Sequence, residues 1–171
     1  VTTGIRTGTR RQAAINPSPA RHRKKADCQE AIMDEAKYNR YIEDFNSACV
    51  GHKTFSEFYD AYYEPDAIFE YIPKAKKNKG RREIIAFWAS VHDIMTEEIK
   101  PHDSLLITDS NVATEAAIDF KCKKDLEWVG VKHKAGSSFR LRMVAIYDLG
   151  KNDKFKYVRV YSVYHEDYQV K

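Results

Sequence analysis

Several absences narrow the reading before any motif does. The three cysteines, Cys28, Cys49 and Cys122, are odd in number and far apart, with no C-x-x-C pair, so neither a disulfide framework nor a cysteine zinc site is written in the sequence. No two of the six histidines have the H-x-x-x-H spacing of a helical ligand pair, so no metal is expected. There is no Rossmann or P-loop glycine pattern and no nucleophile-elbow serine, which leaves no cofactor expected. Apolar runs stop well short of the roughly 20 residues of a membrane helix. Seven glycines and five prolines in 171 residues exclude a fibrous or low-complexity chain.

Acidic residues are also missing, but only locally. Residues 1–26 carry seven Arg and Lys and no Asp or Glu. Removing those seven from 29 basic residues leaves 22 against 25 acidic ones, so the basic net charge of +4 belongs to the arm. A nucleic-acid-binding body would carry a basic face of its own. We therefore expect residues 1–28 to form a flexible basic arm and residues 29–171 a single domain, with neither nucleic acid nor membrane as partner. A reduced, cytoplasmic setting fits the cysteines. An arm rich in Arg, Thr, Ser and Ala leaves organelle targeting as the alternative.

The periodicity then changes along the chain. Over residues 31–49, Tyr38, Tyr41, Ile42, Phe45 and Cys49 recur on one helical face, and Gly51 ends the pattern. "KTFSEFYDAYY" reads as a short second helix that buries Phe55, Phe58, Tyr59 and Tyr62 and stops at Pro65. "AIFEYI" alternates as a strand. A polar loop, "PKAKKNKG", leads into a third helix, "RREIIAFWASVHDIM", with Ile84, Ile85, Trp88, Val91, His92 and Met95 as its stripe. After Pro101 the period falls to two: "SLLITD", "NVATEAAIDFKC", "SSFRLRMVAIYDL" and "FKYVRVYSVYHEDY" read as strands, the last two joined as a hairpin through "GKND". Helices first and long antiparallel strands last define an α+β domain, with about three helices closing one face of a curved, cone-shaped sheet.

Three stretches carry a resemblance. "FYDAYYEPDAIFEYIP", "KGRREIIAFW" and "FRLRMVAIYDLGKNDKFKYVRVYSVY", in this order, resemble the short helix and strand, the glycine turn into the third helix, and the closing hairpin of the nuclear-transport-factor-2-like superfamily. The SnoaL-like polyketide cyclases and isomerases are the nearest group, and scytalone dehydratase is a more distant one. The likeness spans about residues 38–165. It implies a cone that holds a hydrophobic small molecule and a homodimer through the outer face of the sheet.

The strand "NVATEAAIDFKC" admits two assignments. Either Glu115 and Asp119 face solvent and Val112, Ile118 and Phe120 form the core, as alternation alone gives, or both faces are covered and the two acids line the cone among small alanines. The resemblance favours the second. Glu115 is then the leading catalytic candidate, because burial in an apolar cone raises a carboxyl pKa toward neutrality. Asp119 lies about 13 Å along the same face and orients rather than shares a proton. Tyr71 resembles, by its place in "IFEY", the strand tyrosine with which scytalone dehydratase orients a water, and His102 lies near where related enzymes place a histidine. Tyr41, Phe45, Trp88, His92, Met143 and Ser162 are the expected substrate-lining residues. The function implied is cofactor-free acid–base catalysis (isomerase, cyclase or dehydratase) on a polyketide- or terpenoid-like carbonyl compound of secondary metabolism. The alternative is a non-catalytic dimeric binding or assembly module. A closed, wet pocket containing Glu115 would mark the enzyme, and a cone filled by its own aromatics would mark the module.

Overall fold

The computed structural model describes residues 33–166 and Gln169. The basic arm, Cys28 and the proposed boundary at residues 28–29 lie outside the described residues. Three helices, α1 (Glu35–Cys49), α2 (Phe55–Tyr62) and α3 (Gly80–His92), accompany strands β1 (Tyr63–Tyr71), β2 (Lys76–Lys79), β3 (Met95–Ile107), β4 (Asn111–Cys122), β5 (Leu126–Trp128), β6 (Val131–His133), β7 (Ser138–Leu149) and β8 (Phe155–Tyr164). The main sheet has six strands in the order β2-β1-β8-β7-β4-β3. Every neighbouring pair is antiparallel except β1 and β8. The α+β arrangement with a curved, mostly antiparallel sheet is as expected.

Each helix begins where its first turn can satisfy its free amides. Asp34 accepts from the Lys37 amide at 2.7 Å and caps α1. Thr54 and Glu57 close a reciprocal capping box on α2. The apolar stripe of α1 buries Tyr38, Tyr41, Phe45 and Ala48, and α2 buries Phe58, Tyr59 and Tyr62 against it. Phe58 is fully buried, with its ring 5.4 Å from both Tyr41 and Phe45. Gly80 answers the need for a turn before α3: its φ is +76°, and an added Cβ would lie 3.4 Å from the Pro65 carbonyl.

Four local expectations are corrected. The segment after β1 is not simply a loop: a single 3₁₀ turn and β2 pair it back onto β1. Pro65 does not stop α2, which ends at Tyr62; it sits inside β1 where the register against β8 shifts. The third helix ends at His92, and Met95 starts β3 instead, which runs through Pro101 by way of irregular pairing between Ile99 and Ser104. The β5–β6 hairpin was not foreseen. It lays Trp128 over Tyr71, ring centres 5.8 Å apart.

The two faces of β4 fall the way simple alternation gives. Val112, Thr114, Ala116, Ile118 and Phe120 are buried on the helix side, in register with Tyr147, Ala145, Met143, Leu141 and Phe139 of β7. Glu115 and Asp119 point away from the helices. Val112, Ile118 and Phe120 are therefore core residues and offer no surface on the outer face. Exposed Leu106, Val144, Tyr161 and Val163 occupy the outer side instead.

Candidate functional site

Glu115 has a side chain 46% exposed and is held by Arg142, whose Nη2 donates at 2.6 Å. Asp119 receives two hydrogen bonds from Arg140, at 2.5 and 2.8 Å, with Lys100 Nζ at 3.5 Å. The Arg140 guanidinium holds its carboxyl below the usual aspartate range. These are surface ion pairs of the outer face. The expectation that Glu115 and Asp119 enter the cone is overturned by the parity of the strand.

Tyr71 is buried, but its hydroxyl is 2.6 Å from the Ser162 hydroxyl and its ring is covered by Phe87 and Trp128. It and Ser162 form a closed pair beneath the β5–β6 hairpin. Burial raises the Tyr71 pKa, opposed by its hydrogen bond to Ser162. His102 lies near the start of α1, 3.6 Å from Glu35 and edge-on to Tyr38.

The interior of the fold centres elsewhere. A cavity of about 30 Å³ between helices and sheet is lined by Tyr41, Phe45, Trp88 and Met143, four of the expected lining residues, together with Tyr63, Tyr147 and Glu97. That volume holds about one water. Glu97 was not foreseen. It is the third residue of β3, between the inward-facing Met95 and Ile99, and its side chain is 1% exposed. Among the described residues no Lys or Arg pairs with it. Its Oε1 is 3.5 Å from His92 Nε2 and 4.0 Å from Cys49 Sγ, while Oε2 has no hydrogen-bond partner among the described residues. Burial pushes the Glu97 carboxyl pKa up, partly opposed by His92. Cys49 Sγ is 3.7 Å from His92 Nε2, and burial with the nearby Glu97 drives the thiol pKa up as well.

The chain brings these three groups together from separate elements. Cys49 is the last residue of α1, and His92 is the last residue of α3. The His92 ring is held among Phe45, Phe55 and Trp88. On its other side Glu97 borders a groove of about 780 Å³, which runs between the end of α1 (Asn46, Ser47, Val50) and the sheet residues Phe120 and Phe139. Asn46 fixes the groove wall by a reciprocal pair with the Ile99 backbone, at 2.8 and 2.9 Å. The buried hydroxyls of Tyr41 and Tyr63 are 3.0 Å apart on the cavity wall. A carboxyl with a free oxygen, a wall of phenols and an apolar groove can together bind a hydrophobic molecule and move a proton on it.

No family model and no curated protein matches the sequence. Solved structures do match in shape. A protein proposed to be a polyketide cyclase, from Pseudomonas putida KT2440, is 19% identical, with a TM-score of 0.58, over 76% of this chain and 90% of that one. An epoxide hydrolase from M. tuberculosis, described as LEH-like, is 16% identical, with a TM-score of 0.53, over 78% and 83%. A protein with a ketosteroid isomerase-like fold from Catenulispora acidiphila, in complex with trimethylamine, is 12% identical, with a TM-score of 0.55, over 71% and 83%. Among the described residues no helix is long and apolar enough to cross a membrane. At these identities the likeness is one of architecture, and the chain has the α+β fold of the nuclear-transport-factor-2-like, SnoaL-like proteins.

Proposed function

We propose that the chain is an enzyme that transfers protons on a hydrophobic carbonyl compound without a cofactor, with Glu97 rather than Glu115 as its acid–base group. The observation that carries this is the Glu97 carboxyl, enclosed beside His92, with one oxygen unpaired at a water-sized cavity and an apolar groove behind it. The raised pKa of a desolvated carboxyl suits a group that must take and return a proton near neutral pH. In this reading the reacting end of the substrate displaces the contents of the cavity and its body lies in the groove over Phe120 and Phe139. Glu97 removes a proton next to the carbonyl, and the Tyr41–Tyr63 pair donates an O–H to the oxygen as negative charge develops. Return of the proton to another carbon gives an isomerase, and intramolecular attack gives a cyclase. Expulsion of a β-hydroxyl gives a dehydratase. Polyketide- or terpenoid-like substrates of secondary metabolism fit the aromatic walls. Neighbouring structures named as polyketide cyclases support a catalytic use of the fold.

One observation favours a second reading. A cavity of about 30 Å³ is small for any substrate, and a cone filled by its own aromatics suits a non-catalytic binding or assembly module. Hydrogen–deuterium exchange at the α-carbon of a hydrophobic ketone such as 2-tetralone, followed by NMR in D2O, separates the two. The enzyme reading expects exchange well above buffer and a loss of about 10²-fold or more in Glu97→Gln. Exchange no faster than buffer across a set of cyclic and aryl ketones leaves the module. In either case the exposed Val144, Tyr161 and Val163 on the outer sheet face are the natural contact for a second copy.

A further inference from the structure

Cys49, His92 and Glu97 offer a thiol, an imidazole and a carboxylate whose ligand atoms all lie within 4.8 Å of one another. The three separations are 3.7 Å (Sγ to Nε2), 3.5 Å (Nε2 to Oε1) and 4.0 Å (Sγ to Oε1). Hydrogen bonds between nitrogen and oxygen are shorter, about 2.7–3.2 Å, so the imidazole and carboxylate are poorly joined as they stand. Ligands around a tetrahedral zinc, with bonds of about 2.0–2.3 Å, are separated by about 3.3–3.6 Å. The imidazole–carboxylate pair is therefore too wide for a good hydrogen bond, and all three separations are within about half an ångström of the spacing that one shared cation imposes.

A second observation points the same way. Glu97 is enclosed and, among the described residues, one of its oxygens is unpartnered and no Lys or Arg pairs with it. An anionic group taken out of water needs a positive partner or a proton. The surroundings also favour positive charge. Two of the three ligands are the last residues of α1 and α3, and the C-terminal ends of helices carry partial negative charge. A thiolate, a carboxylate and a neutral imidazole around a divalent ion sum to no net charge, which lowers the cost of burial. The groove that borders Glu97 provides a path for the ion.

We propose that Cys49, His92 and Glu97 form a binding site for a thiophilic divalent cation, Zn²⁺, with a fourth position open to water or a ligand. The thiol ligand selects zinc over magnesium or calcium, which prefer all-oxygen sites. Binding releases a proton from the thiol, and from Glu97 where that carboxyl is protonated. It also ties up the oxygen beside His92. Insofar as it rests on the proton-transfer reading above, zinc is an inhibitor of that reaction and not its cofactor.

Cobalt(II) is a spectroscopic probe for such a site. Titration of the full, metal-free chain is expected to produce a near-ultraviolet thiolate-to-cobalt charge-transfer band and the visible bands of tetrahedral cobalt. The signal should saturate at one equivalent and be displaced by zinc. Cys49→Ser, a near-isosteric change at a partly buried position, should lose the charge-transfer band, with circular dichroism confirming the fold. Glu97→Gln should weaken binding by at least about tenfold. Cys28→Ser should keep the band, which excludes the thiol of the N-terminal arm. No band at saturating cobalt, or a band retained in Cys49→Ser, overturns the site whatever the activity. Binding as expected with ketone exchange unaffected by zinc leaves the metal site standing and removes Glu97 from the proposed reaction.

Discussion

Replacing Glu97 by Gln should stabilise the metal-free protein near pH 8 while it removes the proposed activity. The side chain is 1% exposed, its nearest positive candidate is a histidine 3.5 Å away, and Oε2 meets no donor. Gln has nearly the same shape and no charge to desolvate. Relieving one poorly compensated buried charge is worth about 1–3 kcal/mol. For a chain of this length each kcal/mol moves Tm by about 2–4 °C, so a rise of roughly 5 °C is expected.

The pH dependence gives a sharper test than the magnitude. Burial raises the folded-state pKa of Glu97 above its ordinary value of 4.5. Between these two values the native state holds a proton that the unfolded chain has released. The contribution of Glu97 to wild-type stability is thus fully present below the unfolded pKa and is lost as pH rises through the folded one. The Tm difference between Glu97→Gln and wild type should be small near pH 4 and grow with pH until Glu97 is ionised in both states. Thermal melts followed by circular dichroism in EDTA over that range measure it. A variant that melts below wild type at pH 8, or a difference that shrinks as pH rises, would show that Glu97 is well compensated where it lies.

Two further expectations concern the surfaces. Tyr161→Glu, at the centre of the exposed outer patch, should leave a monomer at micromolar concentration where the wild type is a dimer, as read by light scattering; a wild-type monomer under the same conditions removes the outer-face contact. A chain starting near Asp27 should melt within a few degrees of the full chain, because it retains both the buried Met33 and the Asp34 cap of α1; a large fall in Tm, or oligomerisation that weakens with added salt, would show that the arm binds the domain.

Much of the architecture was legible because it rests on periods that few alternatives share. The stripe Tyr38–Tyr41–Phe45 is buried as read. β4 has the bounds 111–122 that its alternation gives, and the turn at 150–153 joins β7 to β8 as an antiparallel pair. What the sequence hid lay where two periods overlap. Met95 follows Val91 and His92 at helical spacing and so extends the stripe of α3, yet it also opens the alternation Met95, Glu97, Ile99. Pro101 reads as a boundary, but β3 passes through it at an irregularity, where the register with β4 skips Lys100 and Pro101 and no ladder bond is asked of the missing amide. The strand that carries the central acid was therefore cut in half.

The error over Glu115 has a different origin. A strand has two faces and a period of two, so a displacement of one residue exchanges them completely. A resemblance over long segments can place a strand without fixing that parity. Alternation alone pointed to it: Val112, Ile118 and Phe120 are large and apolar, whereas Glu115, Asp119 and Lys121 alternate with them, and the two acids meet arginines on β7. The same rule applied one strand earlier isolates Glu97, an acid on the face shared by Met95 and Ile99, while Thr96, Glu98 and Lys100 occupy the other. A lone carboxyl on the apolar side of an amphipathic strand was the signal for the site. It could be used only once β3 was known to begin before Pro101. Its partners Cys49 and His92, 48 and 5 residues away in the chain, become partners only through the packing of α1 and α3 on the same end of the sheet.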